Sequence, residues 1–232
     1  MKILIVAATV LEIKPLLSSL GYTKDDPFLI NTFIYHCSSI DVLITGVGLM
    51  HAAYFLGKML ARNKYDHALN FGIAGSFNKN ISIGEVVHVV EERIADLGVE
   101  NKDKFLDLVE LQLLHPDQFP YTAGALMNQT PDLIQGIPEL RKMVRGISVN
   151  KVNGNQQGID KVVQKYHPDV ESMEGAAFLY ACLTEGVPCL QIRSSSNYVQ
   201  LWDKDTWNIP LAVENLNKMA MKIIDRLVSV RE

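Results

Sequence analysis

Cysteine is scarce. The 232-residue chain has three, Cys37, Cys182 and Cys189, with no Cys-x-x-Cys or Cys/His spacing. That excludes a disulfide framework and the common zinc sites, and it reads all three as small core residues of a reducing compartment. Clustered positive charge is absent too: 22 Lys and Arg face 26 Asp and Glu, for a net charge of −4. A nucleic-acid partner would show a basic footprint, so none is expected. No stretch approaches the ~20 apolar residues of a membrane helix. The apolar opening Ile3–Ala8 is short and is followed at once by Glu12 and Lys14, unlike a signal peptide. These absences predict a soluble, cytoplasmic protein with no membrane partner.

The familiar chemical signatures are missing as well. Gly46-Val47-Gly48 lacks the third glycine of a dinucleotide fingerprint, and no Gly-Lys-Ser/Thr occurs. There is no His-Glu-x-x-His, and Ser194–Ser196 lacks the glycines of a nucleophile elbow. The six histidines, at positions 36, 51, 67, 88, 115 and 167, are scattered and read as solvated or structural. Neither a metal nor an organic cofactor is expected.

What is present is an alternation of apolar strands and helical patterns. Lys2–Ala8 is a continuous aliphatic run, the pattern of a strand buried on both faces. Leu11–Leu20 has helical spacing and stops at Gly21. Strands are predicted at Phe28–Asn31, Thr32–Ser38 and Asp41–Thr45, and a helix from Met50 to Arg62. A further strand, His67–Phe71, is taken as broken by Gly72–Gly75, and another covers Gly84–Val90. Between Ala95 and Asp132, Asp, Asn, Gly and Pro interrupt every pattern, which reads as loops with a short helix at Leu106–Leu114. Then come a strand at Arg145–Val152, helices at Gln156–Lys165 and Glu174–Glu185, a strand at Cys189–Ser195 and a final helix at Ile209–Val228. This order predicts an α/β fold with a mainly parallel sheet and right-handed crossovers, and the lack of a linker or repeat predicts one domain over residues 1–232.

Ligands bind at the carboxyl ends of parallel strands, so polar residues just past those ends are candidates. They are Thr9–Glu12, Gly46–Gly48, Asn70–Ser76, Ser172–Glu174 and Arg193–Asn197. Each has a second reading. Glu12 and Glu174 could complement helix dipoles, and the glycines could simply form turns.

Taken together, Glu12, the run Asn70-Phe71-Gly72-Ile73-Ala74-Gly75, the run Glu171-Ser172-Met173-Glu174-Gly175-Ala176-Ala177 and the run Ile192-Arg193-Ser194-Ser195-Ser196-Asn197 resemble a known superfamily almost end to end. It is that of purine nucleoside phosphorylases and methylthioadenosine/adenosylhomocysteine nucleosidases. Within it, Ala95–Gly98, Phe105–Leu108, Ser196–Val199 and Trp207–Ala212 are most similar to the futalosine hydrolase group, which cleaves hypoxanthine from futalosine on a route to menaquinone.

The resemblance implies a three-layer nucleosidase-like domain, with a mixed, mainly parallel sheet flanked by helices. It also implies a homo-oligomer such as a dimer, with a neighbouring subunit closing the 5′ side of a nucleoside pocket. Glu12 matches the general base that activates water. Glu174 matches the carboxylate on the ribose hydroxyls, and Met173 the apolar floor under the ribose. Ser196 and the segment Ile73, Ala74 and Gly75 fall where substrate-binding residues lie, and Asn197 where adenine-specific relatives carry Asp. An amide can donate to purine O6 and accept from a protonated N7, so Asn197 points to a 6-oxopurine. One departure remains: no aromatic follows Asn153-Gly154 to stack on the base. The benzoate-bearing 5′ extension of futalosine calls for a cationic or hydrogen-bonding group, and the scattered Arg, His and Tyr residues are all candidates. Phosphate attack, assisted by Ser76 or Arg93, would instead make the protein a 6-oxopurine nucleoside phosphorylase. A non-catalytic nucleoside-binding protein of the same fold is a third reading, and a dehydrogenase a more distant fourth.

Overall fold

The opening apolar run forms a strand whose alternate residues serve two cores. Ile3, Ile5 and Ala7 join one cluster, with Leu16, Leu216 and Ile223, while Leu4 and Val6 join another, with Leu56, Phe178 and Cys182. Such burial on both faces requires helices above and below. The computed structural model describes residues 1–22, 30–128, 137–140, 142–201 and 203–229.

The first half comprises β1 (Lys2–Ala7), α1 (Val10–Ser19), β2 (Ile30–Tyr35), β3 (Ser38–Ile44), α2 (Leu49–Arg62), β4 (His67–Ser76) and β5 (Val86–Ile94). Four short strands follow: β6 (Gly98–Asn101), β7 (Lys104–Asp107), β8 (Tyr121–Thr122) and β9 (Ala125–Met127). The second half has β10 (Met143–Ser148), α3 (Gln156–Tyr166), β11 (Val170–Ser172), α4 (Gly175–Thr184), β12 (Cys189–Tyr198) and α5 (Ile209–Ser229). Helices α1 and α5 pack on one face of the β2-β3-β1-β4 wing, and α2 and α4 on the other.

The wing matches the expectation of a flanked, mainly parallel sheet, but the rest of the sheet closes on itself. β4 pairs with β11, β11 with β10, β10 with β5, β5 with β12, and β12 with β4 again, so five strands form a mixed, barrel-like ring. Closure depends on β4 running past its predicted end to Gly75 and Ser76, where it meets β11, and β12 also runs longer than the sequence predicts. β4 runs extended through Gly72–Gly75 to Ser76, and β12 continues through Ser196 and Asn197 to Tyr198. Neither Gly72 nor Gly75 has a positive φ. They supply space rather than a turn.

β12 occupies one edge of β4 along its length, so β1 and β11 must share the other. β1 pairs only as far as Asn70, and β11 only at Gly75 and Ser76. Between them, the backbone from Phe71 to Ala74 has no strand partner on that edge. The gap lies past the carboxyl end of β1, at the point where α1 begins.

Other differences are local. No helix forms at Leu106–Leu114: β6 and β7 make a hairpin ending at Asp107, followed by turns in which Asp107 Oδ1 accepts from the amides of Val109 and Glu110. Local side-chain acceptance of this kind competes with helix formation. Part of the predicted Phe28–Asn31 strand lies outside the described residues. Cys37 is exposed in the turn after β2 rather than in a core, whereas Cys182 and Cys189 are buried. Gly21, with φ of 86°, does end α1, as its spacing predicts.

Gly146 shows how little slack the ring has. It pairs with Glu92 across β10 and β5, and a Cβ there would run into Glu92 Oε2 and come within 2.7 Å of Val89 Cγ1. Gly146→Ala should therefore destabilise the fold by about 1–3 kcal/mol, the usual range for overpacking, as read by urea unfolding.

Candidate active site

The gap beside β4 is filled by Glu12. Glu12 is the third residue of α1, and its Oε2 accepts from the backbone N–H of Thr9 at 2.9 Å and from the Thr9 hydroxyl at 3.1 Å. Its Oε1 accepts from the amide of Ile73 at 3.2 Å, one of the groups the sheet leaves unpaired. The helix-start reading and the site reading of Glu12 both hold, one for each oxygen. Gly72 makes the approach possible, since a Cβ there would meet Glu12 Oε1 at 3.0 Å and Arg193 Nη1 at 3.2 Å.

Glu174 occupies the N-cap of α4, yet its own side chain makes no capping bond. The cap is supplied from elsewhere: Ser148 Oγ accepts from the Ala176 amide at 2.8 Å, and Ser172 Oγ from the Gly175 amide at 3.3 Å. An orphan helix amide needs some acceptor, and with two hydroxyls in that role Glu174 is released for other work. Its Oε1 accepts from the amide of Gly48 at 2.9 Å. Gly48, with φ of 99°, holds a backbone shape that L side chains rarely adopt, and so presents that amide.

Ser148 is itself held in place. Its hydroxyl donates to Glu92 Oε1 at 2.9 Å, and Gln191 Nε2 donates to Glu92 Oε2 at 2.7 Å. Arg193, 1% exposed, lies nearby and donates through Nη1 to Asn70 Oδ1 and to the Ile192 carbonyl. Its charge interacts with those of Glu174, Glu92 and Glu12. Burial raises the pKa of Glu12, the Glu174 charge adds to the rise, and Arg193 with the Ile73 and Thr9 amides opposes it. Burial also pushes Glu92 up to about 7 against the opposing pull of Arg193, Gln191 and Ser148.

Glu12 and Glu174 line a cavity of about 340 Å³. The eight residues that the resemblance places at the base, the sugar and the attacking water lie on its lining: Glu12, Ile73, Ala74, Gly75, Met173, Glu174, Ser196 and Asn197. Asn197 is oriented by its surroundings. Its Nδ2 donates to the Tyr198 carbonyl at 3.1 Å, which leaves Oδ1 to accept from the Ser196 hydroxyl at 2.8 Å. Both amide atoms keep spare capacity, one N–H and one lone pair. No residue from the segment after Asn153-Gly154 is on the described lining up to Glu171; aliphatic Val149 and Val152 are, and the aromatic on the described lining is Trp207. No Lys, Arg, His or Tyr is among the described residues of that lining, so none of the candidates for a 5′ extension is found on it.

Sequence reasoning left Glu92, Ser148 and Gln191 without a role, and it named Arg193 only as part of a segment. A usable signal existed for one of them: Gln191 is a polar residue between Leu190 and Ile192 inside a buried strand. Of the two residues considered for phosphate, Ser76 bonds backbone carbonyls of Asn78 and Asp169. Arg93 lies in a separate cleft of about 420 Å³, bonded to Glu91 and the Ala123 carbonyl. Among the described residues no group of three or more His, Cys, Asp and Glu is placed to hold a metal ion, and no helix is long and apolar enough to cross a membrane.

Because the folded-state pKa of Glu92 is raised from 4.5 to about 7, its contribution to stability is full below the lower value and is lost as pH rises through the upper one. Glu92→Gln removes that titration. Between about pH 5 and about pH 8 the wild-type protein should lose stability relative to the variant, a trend that paired urea melts at each pH would measure.

Residues 2–230 match the family model described as Phosphorylase superfamily. Futalosine hydrolase of Thermus thermophilus is 32% identical over 185 residues, covering 78% of this chain and 80% of that protein. The 5'-methylthioadenosine/S-adenosylhomocysteine nucleosidase of Maridesulfovibrio salexigens is 30% identical, covering 86% of this chain and 87% of that one. Among solved structures, futalosine hydrolase of Helicobacter pylori superposes with a TM-score of 0.78 at 20% identity, over 97% of each chain, a likeness of fold. The ring, the helices on either side of the wing and the match over nearly the whole length agree: the chain belongs to the phosphorylase superfamily.

Proposed function

We propose that this protein is an N-glycosyl hydrolase that cleaves futalosine to hypoxanthine and dehypoxanthine futalosine, as a step in menaquinone biosynthesis. The observation that carries the reading is the placement of two carboxylates, Glu12 and Glu174, and one oriented amide, Asn197, on the lining of a single nucleoside-sized cavity. The similarity to futalosine hydrolases over most of the chain supports the substrate. The reading takes residues 1–232 as one domain and needs no cofactor.

In this mechanism Glu12 accepts a proton from a water molecule as the water oxygen bonds to C1′ and the C1′–N9 bond breaks. The sugar passes through an oxocarbenium-like state, and Glu174 stabilises it by accepting from the ribose hydroxyls and placing negative charge nearby. Met173 lies under the ribose. The bonding electrons leave with the purine, and the Asn197 amide donates to O6 while its carbonyl accepts from N7–H. The amide has no proton to give, so N7 takes its proton from solvent.

Hydrolysis is favoured over phosphorolysis by one contact and one repulsion. The Ile73 amide, which an incoming phosphate could use, is already bonded to Glu12, and the Glu12 carboxylate would repel that anion. Ser76 and Arg93 are engaged elsewhere. The proposal also includes a cytoplasmic homo-oligomer, such as a dimer. It is supported by an apolar groove between α2 and α4, lined by Leu49, Ala53, Gly57 and Ala181, with exposed Met50 and Tyr54 on α2.

Two substitutions test these roles. Glu12→Gln should lower kcat for futalosine by at least about 10²-fold with little change in melting temperature, the scale of a lost general base. Unchanged turnover in a hypoxanthine-release assay would remove Glu12 from that role. Asn197→Asp should shift the kcat/KM ratio from futalosine toward its 6-amino counterpart, aminodeoxyfutalosine, by about 10- to 100-fold. A ratio equal to that of the wild type would show that Asn197 does not read the base.

A further inference from the structure

One buried carboxylate on the cavity wall has no part in the chemistry above. Glu171, on β11, is 5% exposed and lines the cavity. Neither of its oxygens accepts a hydrogen bond among the described residues, and Oε2 is buried without a partner. Every other carboxylate of the site is served: Glu12 by Thr9 and Ile73, Glu92 by Ser148 and Gln191, Glu174 by Gly48. A buried acceptor left unmade is costly, which marks the place where a ligand donor fits.

Its neighbours give the position a meaning. Glu171 pairs with Gly75 across β11 and β4, and a Cβ on Gly75 would meet Glu171 Cγ and Asn197 Nδ2 at 3.4 Å each. Glu171 Cγ and Asn197 Nδ2 thus flank the same point of β4, whereas Asn197 Oδ1 is held by Ser196. If Oδ1 faces N7 and Nδ2 faces O6, the next atom round the purine edge is N1. In a 6-oxopurine N1 carries a hydrogen, and in a 6-aminopurine it carries a lone pair.

We propose that Glu171 is a specificity-determining residue whose carboxylate accepts the N1–H of a 6-oxopurine, extending the contact that Asn197 makes at N7 and O6. This rests on the nucleosidase reading of the same cavity. A carboxylate opposite N1 rewards hypoxanthine with a charge-assisted bond and sets two lone pairs against each other for adenine. Protonation would blur the distinction, because a carboxyl group can donate to the adenine N1. Burial alone pushes the group up to about 7, with no charged neighbour contributing. Selectivity for the 6-oxo base should therefore rise as pH rises through about 7.

The test compares kcat/KM for futalosine and aminodeoxyfutalosine in the wild type and in Glu171→Gln from about pH 6 to about pH 8. Gln can donate to the adenine N1 and has no charge, so the 6-oxo to 6-amino ratio should fall about 10- to 100-fold and lose its pH dependence. A variant ratio within twofold of the wild type, with the same pH profile, overturns the inference alone. Absence of base release from both substrates by the wild type overturns the nucleosidase reading, and this inference with it. A second measurement does not need turnover: binding of hypoxanthine and 1-methylhypoxanthine to the wild type and to Glu171→Ala, by calorimetry. The wild type should prefer the base with N1–H, and the preference should shrink at least tenfold in the variant. An unchanged preference overturns the inference.

Discussion

Arg193 carries a cation at a place from which water is excluded, and the arrangement of the site follows from that. Burial draws its pKa down, and the negative charge of Glu174, Glu92 and Glu12 opposes the fall. An ion taken out of water is stable only with counter-charge and hydrogen bonds around it. One guanidinium cannot balance three carboxylates at full charge, so the surplus falls on the carboxylates, and burial pushes Glu12 and Glu92 up. For Glu12 the outcome is useful. A general base works best when its pKa approaches the operating pH, and here desolvation and a like charge supply the upward shift.

The same cluster connects charge to geometry. Glu92 fixes the hydroxyl of Ser148, Ser148 caps α4, and the cap leaves Glu174 to face the cavity instead of its own helix. Close packing makes this arrangement strict. A Cβ on Gly175 would run into Gln191 Nε2 and lie 2.8 Å from Glu92. Glycines at 72, 146 and 175 thus admit polar groups to places where a methyl group would displace them, a role distinct from the turn formation that glycine usually suggests.

How much of this could be read beforehand depends on the range of the interaction. Strand β1 was legible because burial on both faces writes itself as an unbroken apolar run, and α1 because Gly21 marks its end. Glu12, Met173, Glu174 and Asn197 were legible through the order and spacing of their motifs. The hairpin β6–β7 was not: Asp, Asn and Gly at 96–107 break every period, and the pairing of Val99 with Leu106 is set by the chain reversal. Ring closure was also hidden, because it depends on β10 and β11 entering between β4 and β5, strands far away in the chain. Glu92, Ser148 and Gln191 become one network only after that closure. Glu171 looked like part of a motif, and only its lack of partners in the folded chain sets it apart.

The last constraint lies in β12. Consecutive residues of a regular strand point to opposite faces, so Ser196 and Asn197 should not both reach one cavity. They do, because the register with β4 slips: Ser195 pairs with Ala74 and Asn197 with Gly75, leaving Ser196 as the extra residue. Such a bulge bends the strand and re-aims the side chains that follow it. Up to Arg193 the alternation places Gln191 and Arg193 with the buried carboxylates. Past the slip, Asn197 turns to the cavity with Ser196 beside it to hold Oδ1. A single inserted residue thus lets one strand supply both the buried cation behind the sugar site and the amide at the base site. Were the same residues paired without the slip, Ser196 would stand opposite Gly75 and Asn197 would point to the other face, away from the purine.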